Sequence, residues 1–227
     1  MTGYKYLLFD ADDTLLDFAA AEKAAFEGMC AECGIDFSDE LYGRYHVINA
    51  SLWKTLETGG VTLEELKIRR YEGLVGDGEL AKKMASSYER LLGFQSAVID
   101  GAPEICRELS GKYRIYIITN GIAAAQRNRI KHSRLEGLYD GLFISGEIGY
   151  SKPDARFFDA VCEKIGDPDR SHYLVIGDTL SSDIEGANRA GIDSVLYDPT
   201  GKEAENTKPT YTVKKLDGLY EILTCKE

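Results

Sequence analysis

The amino-acid sequence predicts an α/β protein: a doubly wound parallel sheet, with a helical bundle inserted after the first strand. Three observations carry this. Tyr6–Phe9 is a short apolar run that breaks abruptly into Asp10, Asp12 and Asp13, the pattern of a buried parallel strand ending in a polar loop. Residues 17–98 have helical spacing and no strand pattern. From residue 99 onward, apolar strand-like runs alternate with helical stretches, the order that builds a parallel sheet covered by helices on both faces.

The inserted segment reads as four helices. Ala19–Cys33 offers Ala24, Phe26, Met29, Cys30 and Cys33 for one face, and Gly34 is a natural stop. Ser38 caps a second helix, with Leu41, Tyr45, Ile48, Leu52 and Leu56 at three- and four-residue spacing. Gly59-Gly60 breaks it. Thr62-Leu63-Glu64-Glu65 has the form of a capping box and opens a third helix through Leu74. Gly78–Leu92 is the fourth. Four consecutive helices of this length can bury a core of their own.

The remainder alternates. Pro103–Leu109 is helical, Arg114–Thr119 a buried strand and Ile122–His132 a helix. Leu142–Ser145 is a short strand. Pro153–Ile165 is a helix with proline in its first turn. Tyr173–Gly177 is a strand, Ser181–Ala190 a helix stopped at Gly191, and Ile192–Leu196 a strand. A last strand near Tyr211–Val213 and a terminal helix complete the chain.

With a net charge of −11 over 227 residues, the surface repels nucleic-acid backbone and anionic lipid, so no nucleic-acid polymer or membrane partner is expected. No stretch approaches the roughly 18 apolar residues that span a bilayer, and Met1–Asp10 lacks a secretory pattern. A cytoplasmic protein is expected. Cys30, Cys33, Cys106, Cys162 and Cys225 are odd in number and fit reduced thiols. Cys30 and Cys33 sit near a helix end with no second pair, which argues against a zinc or redox site.

Four strand ends converge on one edge of the predicted sheet. The first ends at Asp10 and the second at Thr119-Asn120-Gly121. The loop after the third carries Ser151-Lys152-Pro153-Asp154, and the fourth ends at Gly177-Asp178, followed by Asp183. In open α/β sheets, ligands bind beyond the carboxyl ends of the strands. Asp10, Asp12, Asp178 and Asp183 would repel one another as bare carboxylates. A divalent cation relieves that repulsion, and all-oxygen ligation selects Mg²⁺. His46, His132 and His172 lie off these ends. Lys152, the Thr119 hydroxyl and the amides at Asn120 and Gly121 can hold phosphate oxygens. The set suits phosphoryl transfer.

DADDT, TNG, SKPD and GDTLSSD, in this order, resemble the four motifs of the haloacid dehalogenase superfamily. The resemblance implies a Rossmann-like core of residues 1–16 and 99–227, with a C1-type helical cap of residues 17–98. It makes Asp10 the nucleophile that forms an aspartyl-phosphate, and Asp12 the general acid/base. Thr119, Asn120 and Lys152 become phosphate-binding residues. Asp10, the Asp12 carbonyl and Asp178 become Mg²⁺ ligands, with Asp183 orienting metal-bound water. Asp13 becomes a loop or solvent-facing residue rather than a catalyst. The dehalogenases need no metal and lack the second acid, so Asp12 points to a phosphatase or phosphomutase. Two acids two residues apart suit two displacements, one attacking and the other moving the proton.

Within the cap, Asn49-Ala50-Ser51-Leu52-Trp53, Gly59-Gly60-Val61-Thr62 and Arg70-Tyr71 resemble the house-cleaning pyrimidine 5′-nucleotidases of that superfamily, as do Ile118–Gly121 and Pro168-Asp169-Arg170-Ser171 in the core. A small phosphomonoester, a pyrimidine nucleoside monophosphate, is then the expected substrate. Asn49, Trp53, Arg70 and Tyr71 are the cap candidates for contacting it. Trp53 equally fits a bundle-core aromatic, and Arg70 a surface ion pair. A sugar-phosphate or phosphoglycolate phosphatase, a phosphomutase and a catalytically silent phosphate-binding relative are the alternatives.

Overall fold

The computed structural model describes residues 3–201 and 207–224. Six strands form one sheet: β1 (Tyr6–Asp10), β2 (Arg114–Thr119), β3 (Gly141–Ile144), β4 (Tyr173–Gly177), β5 (Asp193–Tyr197) and β6 (Tyr211–Val213). Their order is β3-β2-β1-β4-β5-β6, and every neighbouring pair is parallel. The chain steps outward from β1 to β3 and then returns to β4 on the other side. The direction of winding therefore reverses beside β1, where open α/β sheets leave a crevice.

The sheet is covered on both faces, and that is why its central strands read as unbroken apolar runs. Side chains alternate across it. Leu7, Phe9, Ile115, Ile117, Leu174 and Ile176 pack against Ala102, Ile105 and Leu109 of α5 (Ala102–Leu109) and Leu219 and Leu223 of α10 (Leu219–Thr224). Leu8, Ile118, Tyr173 and Val175 pack instead against Phe157, Phe158 and Val161 of α8 (Ala155–Ile165) and Ala187 of α9 (Glu185–Ala190). Leu8 faces Tyr116 on one side and Val175 on the other, so β1 is fixed from both edges.

The chain divides into two compact units, and Phe18–Gln95 with Ala124–Arg129 form the helical one. It contains α1 (Phe18–Cys33), α2 (Asp39–Glu57), α3 (Leu63–Val75) and α4 (Gly78–Leu92). The caps match the sequence signals: Ser38 accepts from the Leu41 amide, Thr62 and Glu65 close a capping box, and Asp77 accepts from Glu79 and Leu80. α1 packs on α4, α4 on α3 and α3 on α2. The turn at Ala124–Arg129 lies in α6 (Ala123–Lys131) and belongs with these helices. Arg129, fully buried, donates from Nε to the Gln95 carbonyl at 3.0 Å and from Nη1 to Gln126 at 3.0 Å.

Three elements differ from the sequence reading. β3 is followed at once by a single helical turn, α7 (Ser145–Ile148). Pro153 does not sit in the first turn of α8: Asp154 caps that helix by accepting from the Arg156 amide at 3.0 Å, and α8 begins at Ala155. The turn after β4 is a π-type turn over Leu180–Ile184 before α9 starts. Cys30, Cys106 and Cys162 are buried and Cys33 half-buried, all as free thiols, and burial pushes Cys30 up to about 11. Cys225 lies outside the described residues. No described helix is long and apolar enough to cross a membrane.

Candidate active site

The carboxyl ends of β1, β2 and β4 bring the core candidates together. Asp10 closes β1 and is 7% exposed. The chain then folds back on itself, with the amides of Leu15 and Leu16 donating to the Ala11 carbonyl and the Asp13 amide to the Leu16 carbonyl. This tight loop holds Asp12 half-buried two residues beyond Asp10. Thr119 ends β2, and its hydroxyl accepts from the Gly121 amide at 3.0 Å.

Lys152 lies at the centre. It is 2% exposed, and its Nζ donates to Oδ1 of Asp10 at 2.5 Å and to Oδ1 of Asp183 at 2.6 Å. Burial alone would lower its proton affinity, but the two carboxylates reverse that and hold it above the ordinary lysine value. Its backbone is gripped by Asn120, whose Nδ2 donates to the Lys152 carbonyl at 2.8 Å while Oδ1 accepts from the Lys152 amide at 3.0 Å. The sequence reading placed the amide at Asn120 on phosphate; the side chain is committed to this loop.

Asp183 is 1% exposed, and its Oδ2 accepts from the Thr179 amide at 3.2 Å. The π-type turn delivers it inward, as such turns often do at functional sites. Gly177 makes the room: a Cβ there would collide with the Asp183 carboxylate.

Charge does not balance among these groups. Asp10 is held well above the usual carboxylate range by burial, against the opposing pull of Lys152. Asp178 is pushed up to about 7, by burial first and then by the charges of Asp183 and Asp13. Oxygens of Asp10, Asp178 and Asp183 lie within 4.8 Å of one another. Three carboxyls sharing one ammonium fit a divalent cation, and an all-oxygen donor set fits Mg²⁺. Asp183, expected only to orient metal-bound water, offers an oxygen to the same cluster. Asp13 lies in the turn after β1. It is half-buried, adopts a left-handed φ of 57°, and its charge reaches Asp178. The Thr14 hydroxyl, beside it, is buried without a hydrogen-bond partner.

Three of the four helical-unit candidates meet inside the bundle. Asn49 donates from Nδ2 to Glu22 at 3.0 Å, and Arg70 donates from Nη1 to Oδ1 of Asn49 and to the Tyr45 hydroxyl, each at 3.4 Å. The Arg70 guanidinium lies 5.0 Å from the Tyr71 ring centroid and 4.6 Å from that of Tyr88. Arg70 is therefore no surface ion pair; it is 2% exposed. Its Nε and Nη2, and the hydroxyls of Tyr71 and Tyr88, are buried without hydrogen-bond partners. Trp53, one turn further along α2, is half-buried.

The family model for haloacid dehalogenase-like hydrolases matches residues 4–191. The chain belongs to the haloacid dehalogenase-like hydrolases. Within this family it is 36% identical to the pyrimidine 5′-nucleotidase PynA of Streptococcus pneumoniae, over 97% of this chain and 95% of that one. It is 31% identical to the pyrimidine 5′-nucleotidase YjjG of Escherichia coli, over 98% and 99%. The HAD-hydrolase YfnB of Bacillus subtilis is 35% identical over 100% and 98%. A magnesium-bound crystal structure of YfnB superposes with a TM-score of 0.91, covering 97% of this chain and 99% of that one. The six-stranded parallel sheet is thus the hydrolase sheet of the family.

Proposed function

We propose that this hydrolase is a Mg²⁺-dependent phosphomonoesterase that works through an aspartyl-phosphate, with pyrimidine nucleoside 5′-monophosphates as substrates. The observation that carries the reading is the buried Lys152 ammonium bonded to both Asp10 and Asp183, with Asp12 two residues beyond Asp10. Identity to two pyrimidine 5′-nucleotidases across the chain supports the substrate.

In this reading an Asp10 oxygen attacks phosphorus as the ester P–O bond breaks, and Asp12 gives its proton to the leaving alkoxide. Asp12, now ionised, takes a proton from water as that water attacks phosphorus. The Asp10–phosphorus bond breaks and inorganic phosphate leaves. An ammonium carries three donors. Two of Lys152's are held by Asp10 and Asp183, which leaves the third for a phosphoryl oxygen. The Thr119 hydroxyl serves another. Asp10, Asp178 and Asp183 would hold Mg²⁺, which when bound supplies the positive charge that Lys152 alone lacks.

The phosphate site treats monoesters alike, so discrimination falls to groups outside it. Trp53 is assigned the base, because an aromatic face stacks on a planar ring. Asn49, Arg70 and Tyr71, each at most 5% exposed, join α2 to α3 and hold the helix that carries Trp53. The test is a hydrolysis series with deoxyuridine, thymidine and deoxyadenosine monophosphates, glucose phosphate and phosphoglycolate, with Mg²⁺ and with EDTA. Pyrimidine nucleotides should lead and EDTA should stop turnover. A sugar phosphate or phosphoglycolate leading by about tenfold, roughly 1.4 kcal/mol in transition-state binding, would move the substrate to that class.

A further inference from the structure

Asn120 and Lys152 face each other across 32 residues of sequence. The ladder between β2 and β3 ends at Thr119 and Ile144, so neither residue has a sheet partner there. The Asn120 amide supplies one. Its Nδ2 and Oδ1 meet the carbonyl and amide of Lys152 as an opposing strand would, at 2.8 and 3.0 Å. A carboxamide presents donor and acceptor side by side. Aspartate at this position would present two acceptors, and alanine nothing.

The other end of Lys152 is fixed too, by Asp10 and Asp183. A lysine side chain has four rotatable bonds and positions its ammonium poorly unless both ends are held. The Asp154 amide donates to the Ser151 carbonyl at 2.8 Å and closes the turn around Lys152, and the Asn120 side chain bonds the amide and carbonyl of Lys152 itself.

We propose that Asn120 is a positioning residue: its side chain sets the Lys152 backbone so that the ammonium reaches Asp10 and Asp183, and it makes no contact with the phosphoryl group. This rests on the reading of Lys152 as a phosphoryl-binding residue. It gives the side chain a role apart from the expectation that the amide at Asn120 holds phosphate.

A double-mutant cycle tests it. The dissociation constant for inorganic phosphate, with Mg²⁺ present, is measured by calorimetry for the wild type, Asn120→Ala, Lys152→Met and the double variant. Asn120→Ala should weaken phosphate by roughly tenfold or more, as misplacement on the ångström scale does, and should cost nothing further once Lys152 is methionine. An equal loss in both backgrounds would mean direct phosphate contact and overturn the proposal, as would no loss in either. Asn120→Ser, which adds no charge and cannot present donor and acceptor side by side to the Lys152 backbone, stands in if the alanine variant does not fold, with the same expected pattern. A second arm needs no ligand. The Lys152 ammonium should give a slowly exchanging proton–nitrogen correlation in the wild type that is lost in Asn120→Ala; an unchanged signal overturns the proposal. A wild type that neither binds phosphate nor hydrolyses esters would end the phosphatase reading alone, and the ammonium signal would still decide the role of Asn120.

Discussion

The Lys152 ammonium donates to the Asp10 carboxylate at 2.5 Å, with both residues withdrawn from water. Burial favours the protonated acid at Asp10, and the Lys152 ammonium opposes it without cancelling it. Removing one partner of a buried ion pair strands the other charge, at a cost of about 3–5 kcal/mol. Lys152→Met should therefore lower the melting temperature of the metal-free protein by several degrees or more, at roughly 2–4 °C per kcal/mol for a chain of this size. A melt within a degree or so of wild type would contradict the pairing.

Gly177 owes its identity to Asp183. A methyl group there would meet the Asp183 carboxylate, and relieving that overlap moves either the acid or β4, typically costing about 1–3 kcal/mol. Gly177→Ala should weaken Mg²⁺ binding measured by calorimetry, together with a lower melting temperature. Wild-type Mg²⁺ affinity in a folded Gly177→Ala protein would show that Asp183 does not need this space.

The helical unit should respond to pH through Glu22. This carboxyl is 1% exposed, and burial raises its proton affinity against the opposing charge of His46, which lies 3.0 Å away. A group whose native pKa is raised binds its proton more tightly folded than unfolded. Its stabilising contribution is fully present below the unfolded value, about 4.3, and is lost as pH rises through the native value. Glutamine carries no such loss and can still accept from Asn49. Glu22→Gln should melt a few degrees above wild type at about pH 8, and the difference should vanish near about pH 4. A pH-independent difference would contradict the assignment.

Trp53 carries the substrate prediction. Loss of one base-stacking contact costs about 1–3 kcal/mol, so Trp53→Ala should lower kcat/KM for pyrimidine nucleotides by roughly 5- to 150-fold. A generic aryl phosphate should be hydrolysed by Trp53→Ala as by wild type. Equal losses on both substrates would make Trp53 a structural residue of α2.

The parts of this molecule that could be read in the sequence are those with local causes. β1, β2 and β4 are buried on both faces, so their apolar runs are unbroken and their acidic or hydroxyl ends stand out. Ser38 and Thr62 cap the helices they precede, because capping acts over three residues. The misreadings have non-local causes. Proline at 153 suggests a helix start, but Asp154 makes the cap and the Lys152 backbone is bonded to Asn120. Arg70 has the spacing of a helix-surface residue, and only the tyrosines of α2 and α4 beside it reveal that it is buried. The contact of the Asn120 side chain with the Lys152 backbone joins residues 32 apart and has no local signature. Asp13, half-buried in its left-handed conformation, shows its link to Asp178 only in three dimensions.

The central claim is that Asp10 becomes covalently phosphorylated during turnover. Enzyme mixed with Mg²⁺ and a radiolabelled pyrimidine nucleoside monophosphate carrying the label in its phosphate is quenched in acid within the first turnover, and protein-bound label is counted. Wild type should carry label that mapping assigns to Asp10. Asp12→Asn should accumulate or release that label roughly 10²–10⁴-fold more slowly, and Asp10→Asn should carry none and show no steady turnover. Asp10→Asn protein that hydrolyses the nucleotide at a rate near wild type, or label that maps to another residue, would contradict the account.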